Sequence, residues 1–275
     1  MLLWFLAFVL TVALGYFQRV TGPSHPLRGT VEVDGETVEF KLLRSDEGRG
    51  VLPVRVAVPA SVDSAALSWR RYPTEEPWQE IPMTRDGEAF ASEVPVQPPA
   101  GKVEYQVLLD ASSGRVAIPQ TEAAVVRFRG DVPAGVLIPH ILSMFLSMLF
   151  ATGAFLLVLR GPESQADTPV LVAMGLLMVG GLALGPMVQK HAFDAYWTGW
   201  PYGTDLTDNK TLVAFLAWLP ASILAVRGST KKVAVVLGWV VMMGVFLIPH
   251  SMRGSEIDWS ETGAGSAATS NPPSQ

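Results

Sequence analysis

The sequence has no cysteine. That excludes disulfides, Cys-ligated zinc, iron–sulfur clusters, attached c-type haem and a cysteine nucleophile. It leaves the compartment open, because exported domains also manage without disulfides. Charge is scarce too: 16% of residues are Asp, Glu, Lys or Arg, against about 25% in an average soluble domain. The balance is acidic, with a net charge of −5. This argues against a nucleic-acid partner, which wants a basic face. No Walker loop, no GxGxxG opening a helix, no GxSxG and no HExxH is present, so no reaction is signposted. No inverted repeat and no pair of broken helices marks a transporter site. The reading leans away from an enzyme.

What is there is apolar. Hydrophobic residues make up 49% of the 275, and they gather in five runs. The first, 2–17 (LLWFLAFVLTVALGYF), is at the short end of spanning length. A cleaved signal peptide is the competing reading. The run lacks a leading positive charge and a small-x-small cleavage site before Gln18, which favours an uncleaved signal-anchor over 1–17. Either way, the segment after it is exported.

Residues 28–130 read as an all-β domain. In VEVDGETVEF, Asp34-Gly35 sits between two alternating stretches, a strong hairpin signal. Further strand-like runs cover 51–58, 65–72, 87–94, 102–110, 114–119 and 124–128. Their spacing is that of a β-sandwich. PPAG before KVEYQVLL looks like an immunoglobulin or fibronectin-III domain, which implies a fold and no chemistry.

Four more apolar segments come after it, at about 134–159, 168–188, 211–226 and 232–249. Together they predict a four-helix transmembrane domain over 134–250, making five spans with the first. The tail, 254–275, is small and polar and is expected to be disordered. Two short connections carry Arg160, Arg227, Lys231 and Lys232, whereas the long one, 189–210, has only Lys190 and Lys210. By the positive-inside rule the short connections are cytoplasmic. The β domain and the 189–210 loop are then periplasmic. Arg127, Arg129 and Arg253, near the outer helix ends, run against that trend.

Residues able to do chemistry concentrate at this outer end. His140, Met144, Ser147, Met148 and Ala151 recur at helical spacing, and a polar stripe in a membrane helix normally faces the bundle interior. Imidazole and thioether together suit copper. With His250 on the fifth segment, two histidines could instead ligate haem b from both faces. The metal candidates are His140, Met144, His250 and Glu256. The bland reading is methionines as gap-fillers and histidines bonded to nearby carbonyls. In the long loop, Trp197, Trp200 and Tyr202 fit an interfacial aromatic belt. Trp197, Trp200, Asp205 and Asp208 are candidates for a lipid or glycan headgroup. The alternative is that Thr207 or Asp208 caps the following helix. Gly181-x-x-x-Gly185 permits close helix approach, inside the bundle or in a dimer.

GPMVQ (185–189), YWTGWPYGTDLTDNK (196–210) and IPHSMRGSE (248–256) resemble a family of uncharacterised bacterial multi-pass inner-membrane proteins. The resemblance implies an N-terminal helix, an outer β domain and a helical half, and it implies no activity. The expectation is an α+β membrane protein of the bacterial inner membrane: an external sandwich and five transmembrane helices. Its leading role is that of an accessory or scaffold protein with protein partners in the lipid bilayer. A haem- or copper-binding redox protein and a headgroup-binding protein are the alternatives.

Overall fold

The computed structural model describes residues 1–48, 50–249, 254, 257 and 259. Its first element is α1 (Leu2–Thr21). Eleven strands come next: β1 (Leu27–Val33), β2 (Glu36–Leu42), β3 (Ser45–Asp46), β4 (Leu52–Ala57), β5 (Val62–Arg71), β6 (Gln79–Pro82), β7 (Thr84–Asp86), β8 (Ala89–Val94), β9 (Lys102–Ala111), β10 (Gly114–Ile118) and β11 (Ala124–Phe128). The helical half comprises α2 (Ala134–Arg160), a 3-10 turn (Glu163–Ala166), α3 (Asp167–Leu177), a π-helical stretch (Met178–Leu184), α4 (Gly185–Phe193), α5 (Leu206–Val226) and α6 (Lys232–Leu247).

The expected hairpin forms. β1 and β2 pair antiparallel around Asp34 and Gly35, both at positive φ, 51° and 83°, as a two-residue hairpin turn requires. β4, β8 and β7 make a second sheet. The third runs β3-β11-β9-β5-β6, with β10 and β11 sharing one edge of β9. Its β3–β11 pairing is parallel. Alternation does the folding: Val103, Tyr105, Val107 and Leu109 of β9 and Leu52, Val54 and Val56 of β4 point inward. All three sheets contribute to one apolar cluster. Tyr105 is fully buried and its hydroxyl donates to the Leu43 carbonyl at 2.8 Å. Burial pushes that hydroxyl well above the ordinary phenol range.

Among the described residues, four helical segments are long and apolar enough to cross a membrane: Leu2–Thr21, Ala134–Arg160, Glu163–Phe193 and Leu206–Val226. The fifth expected span, α6, runs only 16 residues, below the roughly 20 that a bilayer core asks for. The helices also reach further than hydropathy indicates. The segment expected at 168–188 continues to Phe193, and α5 starts at Leu206. The connection read as 189–210 is therefore 194–205. Polar residues at these helix ends have protein partners, so they do not stop the helix.

The bundle packs through notches and indole hydrogen bonds. Trp4 lies over Gly153, where a Cβ would come within 2.5 Å of its ring, and meets Phe150 edge-on at 5.4 Å. Trp218 is fully buried and donates to the Val170 carbonyl at 3.1 Å. Trp239 stacks on Phe155 at 4.0 Å and donates to Thr152 at 3.1 Å. At the end away from the sheets, Glu163 accepts from the Lys232 backbone N–H at 2.7 Å, and Thr230 donates to Asp167.

Candidate functional site at the junction of sheet and bundle

The β domain sits on the end of the helices through the link that joins them. Gly130 N–H donates to the Ala192 carbonyl at 2.8 Å. A Cβ on Gly130 would lie 2.2 Å from the His191 carbonyl oxygen. Three residues earlier, the buried Arg127 stacks its guanidinium on the Phe193 ring at 3.9 Å and donates to the Gly254 carbonyl at 2.8 Å. Beside this seam lies a cavity of about 220 Å³. The sheet side supplies Arg127 and Arg129, and the bundle supplies His140, Met144, Asp205 and Asp208.

The structure thus brings together four of the eight candidates from separate stretches of chain. His140 is placed by a local departure from α-helix. Over Met178–Leu184 the backbone widens to a π-helix, in which Gly185 N–H bonds back to the Gly180 carbonyl. His140 Nδ1 lies 2.8 Å from that same oxygen. A carbonyl only accepts, so Nδ1 carries the proton, and in the neutral ring Nε2 keeps its lone pair. π-helical turns are rare and concentrate at functional sites.

Gly180 and Gly181 permit the approach. A Cβ on Gly180 would lie 2.8 Å from Ser143, and one on Gly181 2.7 Å from Thr211. The glycine pattern read in the sequence therefore packs helices within this bundle, in a π-helical rather than an α-helical frame.

Asp205 and Asp208 are buried, at 6% and 7% exposure, and both are engaged. Asp205, rather than Thr207 or Asp208, caps α5, accepting from the N–H groups of Thr207 at 2.7 Å and Asp208 at 3.3 Å. Asp208 accepts from Thr198 N–H at 2.7 Å. Asn209 accepts from Trp200 N–H at 2.7 Å, and Gln189 donates to the Thr198 hydroxyl at 2.7 Å. These bonds order the 194–205 loop against α4 and α5. Trp197 donates to the Trp200 carbonyl at 3.0 Å, while the Trp200 ring is exposed. Trp197 and Trp200 stand outside the cavity lining. Two further candidates, His250 and Glu256, lie outside the described residues. Among the described residues, no three His, Asp or Glu side chains gather as a metal ligand set.

No family model matches this chain, and the search of curated proteins also finds no match.

A second crevice, of about 710 Å³, adjoins the first at Arg127. Arg19, Arg44, Lys102, Arg127, Arg129 and Glu122 line it. Arg127, Arg129 and Phe193 line both spaces. Sequence reading missed this crevice because its cations are scattered from residue 19 to 129. The signal that existed was the conflict of Arg127 and Arg129 with the positive-inside trend.

Proposed function

We propose that this chain is a multi-pass accessory protein of a bacterial inner membrane. In this reading its β domain is an immunoglobulin-like sandwich held on the periplasmic side, and α6 serves as a fifth, short span. The likeness of the strings at 185–189, 196–210 and 248–256 to a multi-pass family supports it. The observation that carries the role is the seam. Gly130, Arg127, Ala192 and Phe193 clamp the sheets to the helix ends, so the domain is presented at the bilayer in a fixed orientation. Among the described residues, its outer strands β6 and β7 each pair on one side, and an open edge is a template for a partner strand. A photo-crosslinker at Gln79 or Arg85 should trap a discrete protein adduct in intact cells, with no adduct from Asp110 on β9, which is paired on both sides. Absence of any adduct, with a monomer as the sole purified species, would sink this reading.

A second reading rests on His140. Its Nε2 lone pair and the Met144 thioether border one cavity, a soft donor pair of the kind that holds copper or, with His250, haem b. An absorption spectrum and metal analysis of the protein purified from cofactor-replete cells decide it. A Soret band or stoichiometric copper that disappears in His140→Ala supports the reading, and a colourless, metal-free preparation removes it.

A further inference from the structure

The crevice between the last turn of α1 and the β domain concentrates positive charge in a protein whose net charge is −5. Five cations, Arg19, Arg44, Lys102, Arg127 and Arg129, share its lining with one carboxylate, Glu122. Five less one leaves a lining charge of +4. Internal partners use part of this charge. Arg129 pairs with Glu47 at 2.7 Å, and Arg127 is held by Phe193 and the Gly254 carbonyl. Lys102 is engaged and lies 5.9 Å over the Tyr72 ring, and Arg19 donates to the Ser24 hydroxyl at 3.2 Å. Arg44 is half-buried, and its guanidinium has no partner among the described residues. A half-buried guanidinium without a counter-charge is costly in an isolated protein. A site that expects an anion removes that cost.

Position identifies the anion. Arg19 lies in the last turn of α1, where a helix apolar enough to cross a membrane ends. Tyr16, Tyr196, Trp200 and Tyr202 are all more than 60% exposed at this end of the bundle, and exposed Tyr and Trp mark the headgroup level of a bilayer. The crevice therefore opens where lipid phosphates lie. Guanidinium groups match phosphate oxygens in pairs, and cations at this depth attract anionic lipid.

We infer that the crevice binds the phosphate of an anionic phospholipid from the leaflet adjoining the β domain. Lipid phosphate would fill the space between Arg44, Lys102 and Arg19, with its acyl chains along α1. Its stabilising effect would then pass through Arg127 to the seam. The inference holds in either orientation of the chain, and it needs neither a protein partner nor a cofactor.

The test is thermal unfolding of the purified full chain in non-ionic detergent at low ionic strength. Phosphatidylglycerol, phosphatidylcholine and inorganic phosphate are added separately. Phosphatidylglycerol should raise the midpoint, while the other two leave it unchanged. Arg44→Gln and Lys102→Gln should each weaken the apparent affinity for phosphatidylglycerol about fivefold, the usual effect of one basic side chain at an anionic surface. Glu122→Gln should tighten it, an outcome that no folding defect imitates. Equal stabilisation by phosphatidylcholine overturns the inference. So does inorganic phosphate acting as well as the lipid, since the site would then belong to a soluble anion. Unchanged affinity in both Arg44→Gln and Glu122→Gln places the lipid elsewhere and overturns it too.

Discussion

The ammonium of Lys210 donates to the carbonyl oxygen of Ile248 at 2.7 Å. Lys210 is 3% exposed, one turn inside α5, and Ile248 is the residue at which α6 stops. The last carbonyls of a helix have no partner within it, and Pro249 comes immediately after. A lysine from one helix and, at 3.3 Å, the Gln18 amide from another close this end. Gln18 also donates to the Phe246 carbonyl at 2.6 Å. The 16-residue α6 is thus tied at its terminus by α1 and α5.

Lys210→Met keeps the apolar stem of the side chain and removes the donor. A hydrogen bond to a charged group contributes about 1.5–3 kcal/mol, so the variant should unfold at a lower temperature in detergent. Gln18→Leu should act in the same direction, and the double variant should lose less than the two singles together, because both donors serve one oxygen. Strictly additive losses would show that the two side chains do not share it.

Gly130 supplies a paired prediction with a control five residues away. A methyl group there meets the His191 carbonyl at 2.2 Å, a contact that no side-chain rotation relieves. Gly130→Ala should separate the β domain from α4, seen as faster amide exchange at Ala192–Asp194 and new protease cleavage near 130. Gly135, in the first turn of α2, has nothing within 4 Å of its would-be Cβ. Gly135→Ala should be neutral or stabilising, by up to about 1 kcal/mol of helix propensity. Equal behaviour of the two variants would mean that the seam is not a close contact in solution.

The Asp34 carboxylate reaches from the β1–β2 turn to the β9–β10 turn, accepting from Ser112 N–H at 3.1 Å and Ser113 N–H at 2.8 Å. Hydrogen bonds from Ser113, side chain first and then backbone, hold its pKa below the ordinary carboxylate value of 3.8. A lowered folded pKa means stabilisation that is complete above the ordinary value and is lost as pH falls through the folded one. A carbon-13 titration of the Asp34 carboxyl in the full chain should give a midpoint below 3.8, and the two turns should separate beneath it. Asp34→Asn should remove the pH response of the Ser113 amide while keeping the turn, because Asn also tolerates positive φ.

How much of this was legible depended on what each feature needs. The hairpin was readable because Asp34-Gly35 states its backbone conformation in two residues. β3, β6 and β7, two to four residues long, are too short to show alternation. Helix ends were misplaced because hydropathy reports contact with lipid rather than helicity: Gln189, Asp208 and Lys210 are polar, helical and buried. The His140 stripe was visible by its spacing. The π-helical turn that supplies its Gly180 partner was not, because it is a property of packing between α2 and α5. The capping role of Asp205 was within reach, since an aspartate ahead of Leu206 is a standard N-cap. The basic crevice was out of reach because no local run of sequence contains it.

α1 carries the remaining prediction. A removable leader makes no lasting tertiary contacts, yet this helix has three kinds. Trp4 occupies the notch at Gly153, Gly15 admits the Phe145 ring, and Gln18 satisfies the end of α6. Removing it would uncover Phe150 and leave the Phe246 carbonyl without its side-chain donor. The protein isolated from membranes should therefore retain residues 1–21, as read by intact mass. Gly153→Val should leave insertion intact but displace Trp4, lowering thermal stability by about 1–3 kcal/mol, the usual cost of overpacking. Trp4→Ala combined with Gly153→Val should recover part of that loss, because the valine then fills the space the indole vacates. An intact mass beginning near residue 18 would show that all but the last turn of α1 is absent from the mature protein.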